Sequence, residues 1–423
     1  MKPTVLLATT SSYYPAARLL MALAEAGCTV DAVCPAAHPL RVTNALGHAY
    51  LYRGLAPLRS FTNAIAASKP DLIVSGDDLA TQHLHTLQAR EQQSGNPNAS
   101  LCALIERSLG DAQSFSIVSQ RGAFMDLARQ EGIRVPATQV IRSADELRLC
   151  LGKIGLPAVL KANGTSGGDG VKIVRTLAEA EQAFEKLQAA PLMARAIKRA
   201  LVDHDQTLVW PSILRRPHTV NAQTFVAGRE ATSTVFCWNG EVLASLHFEV
   251  VNKASAAGHA TVVRLIEHAE MSSAVEGMVR RLGLSGFCGF DFMLESSTGN
   301  AHLIEINPRA TQVGHLNLGP GRDLSAALYA ALIGHASQPA PKVTEKDTIA
   351  LFPQEWIRDP QSSFLRNAYH DVPWQEPALI RHCVSNREKQ SGWYSRRSRT
   401  QARTEAQNPV ATACRAGKQE IVA

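Results

Sequence analysis

The sequence lacks the cysteine patterns of zinc proteins and disulfide-stabilised proteins. Its eight cysteines are scattered, with no C-x-x-C pair and no Cys/His spacing typical of a zinc site. It also lacks an apolar run long enough to cross a membrane, and the first apolar run, 5–8, is too short for a signal-peptide core. These absences predict reduced, mostly buried thiols in a soluble cytoplasmic protein with no membrane partner.

A strong charge of one sign is also absent from the body of the chain. Lys and Arg number 43 against 37 Asp and Glu, which gives a formal net charge of +6. Eight basic and three acidic residues follow Ser385, so about +1 remains for the preceding residues. Nucleic-acid binding therefore loses its main support. The segment 385–423 has few apolar residues and is predicted to be a disordered basic tail.

The opening segment alternates predicted strands and helices. An apolar strand at 5–8 precedes a helical run over 16–26, and a second strand follows at 29–33, which is a βαβ pattern. A later apolar run ends in Ser75-Gly76-Asp77-Asp78, where Asp78 is predicted to cap the next helix. The first turn has no G-x-G-x-x-G motif, which argues against a nicotinamide-dependent dehydrogenase.

The next region predicts a strand, a glycine-rich turn and a second strand. A helix is predicted before these two strands. It begins at Ser143 to Glu146, which have the form of a capping box. The first strand ends at Lys161, and the glycine run 164–170 connects it to an apolar run at 171–174. The glycine run lacks the Walker pattern, so it is either a flap that closes over phosphates or a flexible turn. Lys161 either reaches phosphate oxygens or is a surface residue.

The strongest chemical pattern is a predicted hairpin in which 289–295 and 301–309 flank a turn. If the hairpin is centred on Thr298, Asp291 faces Glu305, and Asn307 shares their face. The opposite face carries apolar side chains that pack in a core: Phe290, Phe292, Ile304 and Ile306. Two carboxylates this close repel each other unless a cation lies between them, and Mg²⁺ accepts such ligands together with water and phosphates. The alternative is a surface hairpin whose acids face solvent.

Two further segments carry candidate ligand contacts. Pro308 ends the strand pairing, so Arg309 emerges beside the carboxylates, where it either holds a phosphoryl oxygen or pairs with the acids. The extended run 223–230 breaks at Gly228. Its backbone is a candidate for contact with an adenine edge and Glu230 for a ribose hydroxyl, although an ordinary strand and turn has the same pattern. For His315, a packed or solvated imidazole is favoured over a substrate contact.

Taken in order, these motifs resemble the ATP-grasp superfamily over residues 110–334. They are the 155–161 strand, the 166–171 flap, the 225–230 hinge, Asp291 and Glu305-Ile306-Asn307-Pro308-Arg309. The resemblance implies α/β and α+β architecture, with a Rossmann-like pre-ATP-grasp domain at 1–109 as in carbamoyl phosphate synthetase and biotin carboxylase. A two-subdomain ATP-grasp fold would follow at 110–337, with its flexible lid at about 138–220, and a C-terminal extension at 338–384.

The resemblance also implies a ligand set and a reaction. ATP would contact Arg121, Lys161, Ser166, Gly167, Gly168, Gly170, Gln223, Phe225, Val226 and Glu230. Asp291, Glu305 and Asn307 would hold Mg²⁺, or Mn²⁺ in its place, and Arg309 and Lys161 would be catalytic. ATP would phosphorylate a small-molecule carboxylate, and an amine, thiol or similar nucleophile would attack the acyl phosphate. Relatives with such an N-terminal domain are often dimers, so the resemblance is compatible with a homodimer, although the sequence itself does not indicate the oligomeric state.

The chain departs from the family pattern at two places. Many members have a phosphate-binding Lys near 119–122, where this chain has only Arg121. Many also have an acid at the start of the hinge strand and a Pro before the hinge Gly, where this chain has Gln223 and Ala227. Two alternative functions stay open: a phosphotransferase that phosphorylates a hydroxyl, and a non-catalytic ATP-binding regulator. The sequence contains no biotin-attachment motif and no repeated second half, which argues against a complete biotin-dependent carboxylase or carbamoyl phosphate synthetase.

Overall fold

The computed structural model describes residues 2–162, 170–189, 218–255, 258–335 and 340–385. Packing divides the chain into two units, 1–371 and 372–423. The seven cysteines in the described ranges form no disulfide and six of them are buried, as the sequence predicts. Among the described residues, no helix is long and apolar enough to cross a membrane.

The first residues build a four-stranded parallel sheet. Its strands are β1 (Thr4–Ala8), β2 (Thr29–Cys34), β3 (Ala49–Leu51) and β4 (Leu72–Ser75), in the order β3-β2-β1-β4. The accompanying helices are α1 (Tyr14–Glu25), α2 (Pro57–Ser68), α3 (Asp78–Gln92) and α4 (Ala99–Leu109). Apolar faces of α2, α3 and α4 join one core with Leu6 and Ala8 of β1, which have no exposed surface. The carboxyl ends of β1 and β4 therefore lie side by side at one edge of the sheet.

The N-cap of α3 is Asp77, so the prediction that Asp78 caps this helix is wrong. Asp77 has an extended backbone, and its carboxylate accepts a hydrogen bond from the backbone N–H of Ala80 at 2.9 Å. The same carboxylate accepts bonds from the Thr9 hydroxyl at 2.8 Å and the Thr10 N–H at 2.6 Å. Asp77 thereby fixes the loop after β1 to the start of α3, and Asp78 occupies the first helical turn.

A second four-stranded sheet follows, in which all pairs are antiparallel. Its strands are β5 (Thr138–Ile141), β6 (Ala158–Ala162), β7 (Val171–Val174) and β8 (Val220–Thr224), in the order β5-β8-β6-β7. The helices of this region are α5 (Phe115–Ser119), α6 (Arg121–Gln130), α7 (Ala144–Ile154) and α8 (Leu177–Gln188). Ser143 caps α7 by accepting from the Glu146 N–H at 3.2 Å, as predicted. Lys161 pairs with Val171, which confirms that the glycine run connects two strands.

The largest sheet has seven strands in the order β13-β12-β9-β10-β11-β14-β15. They are β9 (Gly228–Trp238), β10 (Glu241–Lys253), β11 (Ala260–Leu265), β12 (Gly286–Glu295), β13 (Ala301–Asn307), β14 (Thr348–Ala350) and β15 (Tyr369–His370). Two helices of this region are α9 (Ala269–Leu282) and α10 (Leu324–Ile333). The apolar side of α9, including Met271, Val275 and Met278, packs with Phe290 and Phe292 of β12 in one core. This packing holds the polar face of the β12–β13 hairpin on the other side of the sheet.

Residues 348–370 add two strands to this sheet, which the sequence pattern does not predict. β14 pairs antiparallel with β11, and β15 pairs parallel with β14. The short helices α11 (Gln354–Arg358) and α12 (Phe364–Asn367) lie between them in the chain. The second unit contributes α13 (Pro377–Ser385) to the described residues, and 386–423 lie outside them.

Candidate functional site

The β12–β13 hairpin has the predicted pairing at its polar end. Asp291 pairs with Glu305, and Gly289 with Asn307. Nearer the turn the register shifts by one residue, so that Phe292 pairs with Leu303 and a β-bulge lies at Ile304. Leu303 therefore has no exposed surface, whereas Ile304 is only partly buried. The prediction that Ile304 faces the core is wrong, because a bulge reverses the alternation of side chains beyond it.

Asp291 is a carboxylate in an electrostatically unfavourable position. Burial and the neighbouring Glu305 raise its pKa from 3.8 to about 6, although hydrogen bonds from Thr232 and Asn307 oppose the rise. The Asn307 Nδ2 atom donates to Asp291 Oδ2 at 2.9 Å. A cation next to these oxygens would remove the repulsion between the two carboxylates.

The donor set of this hairpin fits Mg²⁺ better than a metal held entirely by protein ligands. Among the described residues no group of three or more His, Cys, Asp or Glu side chains is arranged to hold a metal ion. Mg²⁺ commonly takes one or two carboxylates and completes its octahedron with water and phosphates. Asp291 and Glu305 offer those two carboxylates, and Asn307 adds an amide oxygen that accepts from Arg309 at 3.2 Å.

Glu305 forms an ion pair with Arg121, the only cation that the sequence offers near 119–122. The Arg121 guanidinium donates to Glu305 Oε1 at 2.6 Å, and the Arg121 side chain is 12% exposed. Arg121 is the first residue of α6, which packs against β13. The structure therefore brings Arg121 to the carboxylate cluster although 184 positions separate it from Glu305.

Lys161 belongs to the same cluster and is not a surface residue. It is 5% exposed, and burial lowers the pKa of its ammonium group to about 8. The negative charges of Glu305 and Asp291 raise the pKa of Lys161, whereas the positive charge of Arg121 lowers it further. A buried ammonium group beside carboxylates and a second cation is a receptive environment for phosphate oxygens, because a new anion would restore its charged form.

The predicted hinge lies next to a cavity of about 560 Å³ between the ends of β9 and β10. Glu230 lines this cavity and pairs with Lys253 of β10 at 2.6 Å. Gly228 allows β12 to approach, since a Cβ atom there would lie 2.1 Å from the Leu294 carbonyl oxygen. Phe225 and Val226 are half-buried in the connection from β8 to β9.

Other residues predicted around the nucleotide are placed as follows. Gln223 is buried, and its amide nitrogen donates to Thr138 Oγ1 at 3.0 Å. The Gly170 carbonyl oxygen accepts a hydrogen bond from the Ala162 N–H at 2.8 Å. This bond extends the pairing of β6 and β7 as far as Gly170. Ser166, Gly167 and Gly168 lie outside the described residues.

Arg309 connects the carboxylate cluster to the N-terminal parallel sheet. Its Nε donates to Asp78 Oδ1 at 3.0 Å. The backbone on both sides of Arg309 is also held, since the Ala310 N–H donates to the Ser75 carbonyl at 2.9 Å and the Thr81 hydroxyl to the Pro308 carbonyl at 2.8 Å. These bonds fix the guanidinium at the carboxyl end of β4.

Three residues complete this region through contacts that sequence patterns do not encode. Asp78 was assigned to capping, and Tyr13 and Lys253 carry no local signature. Burial raises the pKa of Tyr13, and the charges of Arg309 and Asp78 act on it in opposite directions. The signal for Asp78 in the sequence was the presence of two adjacent acids, Asp77 and Asp78, at a strand end. A helix cap uses only one of them, which leaves the other available to a pocket.

His315 is buried away from solvent, as the sequence favoured. Its Nε2 atom is 2.6 Å from Asp371 Oδ2, and Arg18 of α1 pairs with the other oxygen of that carboxylate. These charges lower the pKa of Asp371 in spite of its burial. The cluster anchors the segment after Arg309 to α1.

A family model matches the region of the chain that contains the candidate site. Residues 120–316 match the model of the carbamoyl-phosphate synthase L chain, ATP binding domain. This range contains Arg121, Lys161, Glu230 and the motif from Asp291 to Arg309. The carbamoyl phosphate synthase large chain of Methanoregula boonei is 27% identical over 198 residues, which are 45% of this chain and 17% of that protein. The present chain therefore spans only a small part of the length of this relative.

Solved structures share the fold over most of the chain. The biotin carboxylase domain of Hydrogenobacter thermophilus 2-oxoglutarate carboxylase, in complex with MgADP, ADP and bicarbonate, aligns with a TM-score of 0.56 and 14% identity. The alignment covers 80% of this chain and 71% of that one. N5-carboxyaminoimidazole synthetase of Staphylococcus aureus in complex with ADP aligns with a TM-score of 0.55 and 14% identity, covering 80% and 79%. These likenesses concern the fold.

Proposed function

We propose that the chain is an ATP-grasp enzyme, a magnesium-dependent ligase that uses ATP to activate a carboxylate. The family model that matches residues 120–316 and the fold shared with solved structures support this proposal. The observation that carries the proposal is the convergence of Lys161 and Arg121 with the Asp291–Glu305 pair. Phosphoryl transfer depends mainly on positioning and charge neutralisation, which such a set of cations and carboxylates supplies.

In this proposal ATP lies between the second sheet and the large sheet. Lys161 and Arg121 bind phosphate oxygens, and the glycine run with Ser166, Gly167, Gly168 and Gly170 covers them. Gln223, Phe225 and Val226 contact adenine through the hinge, and Glu230 accepts a ribose hydroxyl. The cavity beside Glu230 supports this arrangement, because its volume of about 560 Å³ lies within the roughly 300–1,000 Å³ typical of small-molecule sites.

Asp291, Glu305 and Asn307 hold Mg²⁺ in this proposal, and Mn²⁺ is the alternative ion. When bound, Mg²⁺ would neutralise negative charge that develops on the phosphates during transfer. Asp291 is ionised for this purpose above pH 6, given its pKa of about 6. Arg121 leaves Glu305 for the phosphates, so the ion pair at 2.6 Å is the contact that nucleotide binding exchanges.

The reaction has two steps. A carboxylate oxygen of the first substrate attacks the γ-phosphorus, the bond to the β-phosphate oxygen breaks, and ADP leaves. An amine, thiol or similar nucleophile then attacks the acyl carbon, phosphate leaves, and the nucleophile loses its proton to solvent or a nearby base. Arg309 holds the transferred phosphoryl group in both steps, because its guanidinium emerges at the strand end beside Asn307.

We assign the N-terminal parallel sheet to a Rossmann-like pre-ATP-grasp domain over 1–109, followed by a two-subdomain ATP-grasp domain over 110–337 with its lid at about 138–220. The C-terminal extension over 338–384 and the basic tail over 385–423 complete this division. The contact between Asp78 and Arg309 supports a role for the first domain in receiving a substrate.

The test measures ADP and phosphate release from Mg²⁺-ATP by the full chain, alone and with pools of amino acids and other small carboxylates. The matched variants are Glu305→Gln at the cluster and Glu241→Gln on an exposed position of β10. A substrate-dependent release of both products that Glu305→Gln loses and Glu241→Gln keeps is the expected result.

Three outcomes contradict the proposal. ADP release without phosphate, together with a phosphorylated product, identifies a phosphotransferase. Binding of Mg²⁺-ATP without turnover in any pool identifies a nucleotide-binding regulator. Equal turnover in wild type and Glu305→Gln removes the assigned site.

A further inference from the structure

A second cavity, of about 220 Å³, lies against β10, the central strand of the large sheet, beside the first turn of α9. Its polar lining comes from β10, the start of α9 and the turn before α10, and includes Ser245, His247, Glu267, Ser272 and Arg322. We propose that this cavity binds a small zwitterion of the α-amino acid class, which carries one carboxylate and one ammonium group.

The cavity lies on the opposite face of the sheet from the carboxylate cluster. Thr232 of β9 pairs in register with Asp291 and forms a hydrogen bond to it. Ser233, the next residue, points to the other face, where its hydroxyl is 2.7 Å from Nδ1 of His247. A ligand in this cavity therefore does not occupy the proposed ATP site.

The mouth of the cavity carries one cation and one anion. Arg322 pairs there with Glu267, and their side chains are 38% and 73% exposed. An exposed ion pair contributes little to stability, so exchanging it for the charges of a ligand costs the fold little. Arg322 offers a guanidinium fork for a carboxylate, and Glu267 offers an acceptor for an ammonium group.

The backbone presents Arg322 from an ordered turn. The Leu318 N–H donates to the Arg322 carbonyl at 3.1 Å, and the Arg322 N–H donates to the Gly319 carbonyl at 2.9 Å. The Ser245 N–H donates to the Gly321 carbonyl at 2.9 Å, which ties this turn to β10. Such preorganisation reduces the ordering entropy that a ligand must offset.

The interior of the cavity is polar on one side and apolar on the other. His247 is 6% exposed and lies between the hydroxyls of Ser233 and Ser272, the latter 3.0 Å from Nε2. Leu265 and Ile266 line the remaining wall. The volume is below the roughly 300–1,000 Å³ of most small-molecule sites, which restricts the ligand to a small molecule.

A ligand with a single charge leaves one side of the mouth uncompensated. A lone carboxylate on Arg322 separates Glu267 from its cation, and a lone amine on Glu267 separates Arg322 from its anion. A zwitterion replaces both partners at once. This double exchange is the physical reason for choosing an amino acid over a simple acid or amine.

The experiment is calorimetric titration of the full chain with L-alanine and L-leucine, in the absence of Mg²⁺ and ATP. N-acetyl-L-alanine and L-alanine methyl ester serve as analogues that each lack one charge. We expect binding of at least one zwitterion, and affinities at least about tenfold weaker for both analogues, since a charge-assisted hydrogen bond is lost in each.

The variants Arg322→Gln and Glu267→Gln should each weaken binding by about tenfold. Arg264→Gln, at an exposed position of β11 that does not line the cavity, should bind as wild type does. Arg309→Ala should also retain binding, which separates this cavity from a substrate site beside Arg309. Unfolding temperatures without ligand verify that each variant is folded.

Three results overturn the inference: no heat of binding with either amino acid, equal affinity in wild type and both mouth variants, or loss of binding in Arg309→Ala. The last result places the amino acid at the proposed active site. It would then support the proposed ligase while removing the second cavity as its binding site.

Discussion

Replacing Asp291 by Asn should stabilise the chain in the absence of metal and nucleotide. Burial and Glu305 raise the pKa of Asp291 from 3.8 to about 6, so the folded state holds the proton more tightly than the unfolded state. At about 1.36 kcal/mol per pKa unit, the ionised carboxylate costs the fold about 3 kcal/mol at pH 8. Asn keeps the shape of the side chain and removes the charge.

The predicted gain in the free energy of unfolding is larger at high pH than at low pH. Above about pH 6 wild-type Asp291 is ionised and the full difference between wild type and Asp291→Asn applies. As the pH falls through 6 towards 3.8 the carboxylate takes up its proton in the folded state, and the advantage of Asn shrinks. Below about pH 4 the two proteins should differ little, since the carboxyl group is neutral in both states.

The assay is thermal unfolding between pH 4 and pH 8 in EDTA, with Asp126→Asn as the control at an exposed position of α6. We expect an increase of several degrees at pH 8 for Asp291→Asn, given roughly 2–4 °C per kcal/mol for domains of 150–250 residues. The same variant should lose the stabilisation that Mg²⁺-ATP gives to wild type. A lower unfolding temperature at pH 8, or a gain that does not change with pH, would refute the reasoning.

Three further predictions address neighbouring residues. The pKa of Lys161 is about 8, so raising the pH from 8 to 9 should weaken Mg²⁺-ATP binding roughly fivefold in titrations, and Lys161→Arg should remove this dependence. Arg309→Ala should lower turnover in an ADP-release assay by about 10²–10³ with little change in ATP affinity; a loss confined to ATP affinity would contradict its assignment. Leu303→Ala should cost about 2–5 kcal/mol in urea unfolding and Ile304→Ala clearly less, whereas equal losses would argue against the bulge.

In the β12–β13 hairpin, sequence patterns predicted the pairing of the two strands but not the β-bulge. Period-two alternation and a compact turn were sufficient to place Asp291 opposite Glu305, because both are local properties of an antiparallel pair. The bulge at Ile304 was not predictable from that alternation. It depends on how Leu303 packs against the helices behind the sheet, which is a tertiary property.

Sequence patterns did not predict the ion pairs between segments that lie far apart in the chain. The pair between Arg121 and Glu305 was not predicted, although both residues were assigned to the ligand set. Lys253 was not identified beside Glu230, nor Asp78 beside Arg309, since no local motif encodes either contact. The two strands at 348–370 were missed because each is three residues or shorter, and pairing with β11 is what makes them strands.

The sequence by itself determined the order of strands, glycine turn and carboxylate hairpin, and the buried character of the cysteines. Those features follow from side-chain periodicity and turn chemistry, which act over a few residues. Only the tertiary structure decided which cation meets which carboxylate, how far the pKa values of Lys161 and Asp291 depart from their usual values, and that a second polar cavity opens behind the sheet. These properties depend on burial and on distances between elements far apart in the chain, and such distances are fixed only when the sheets and helices pack.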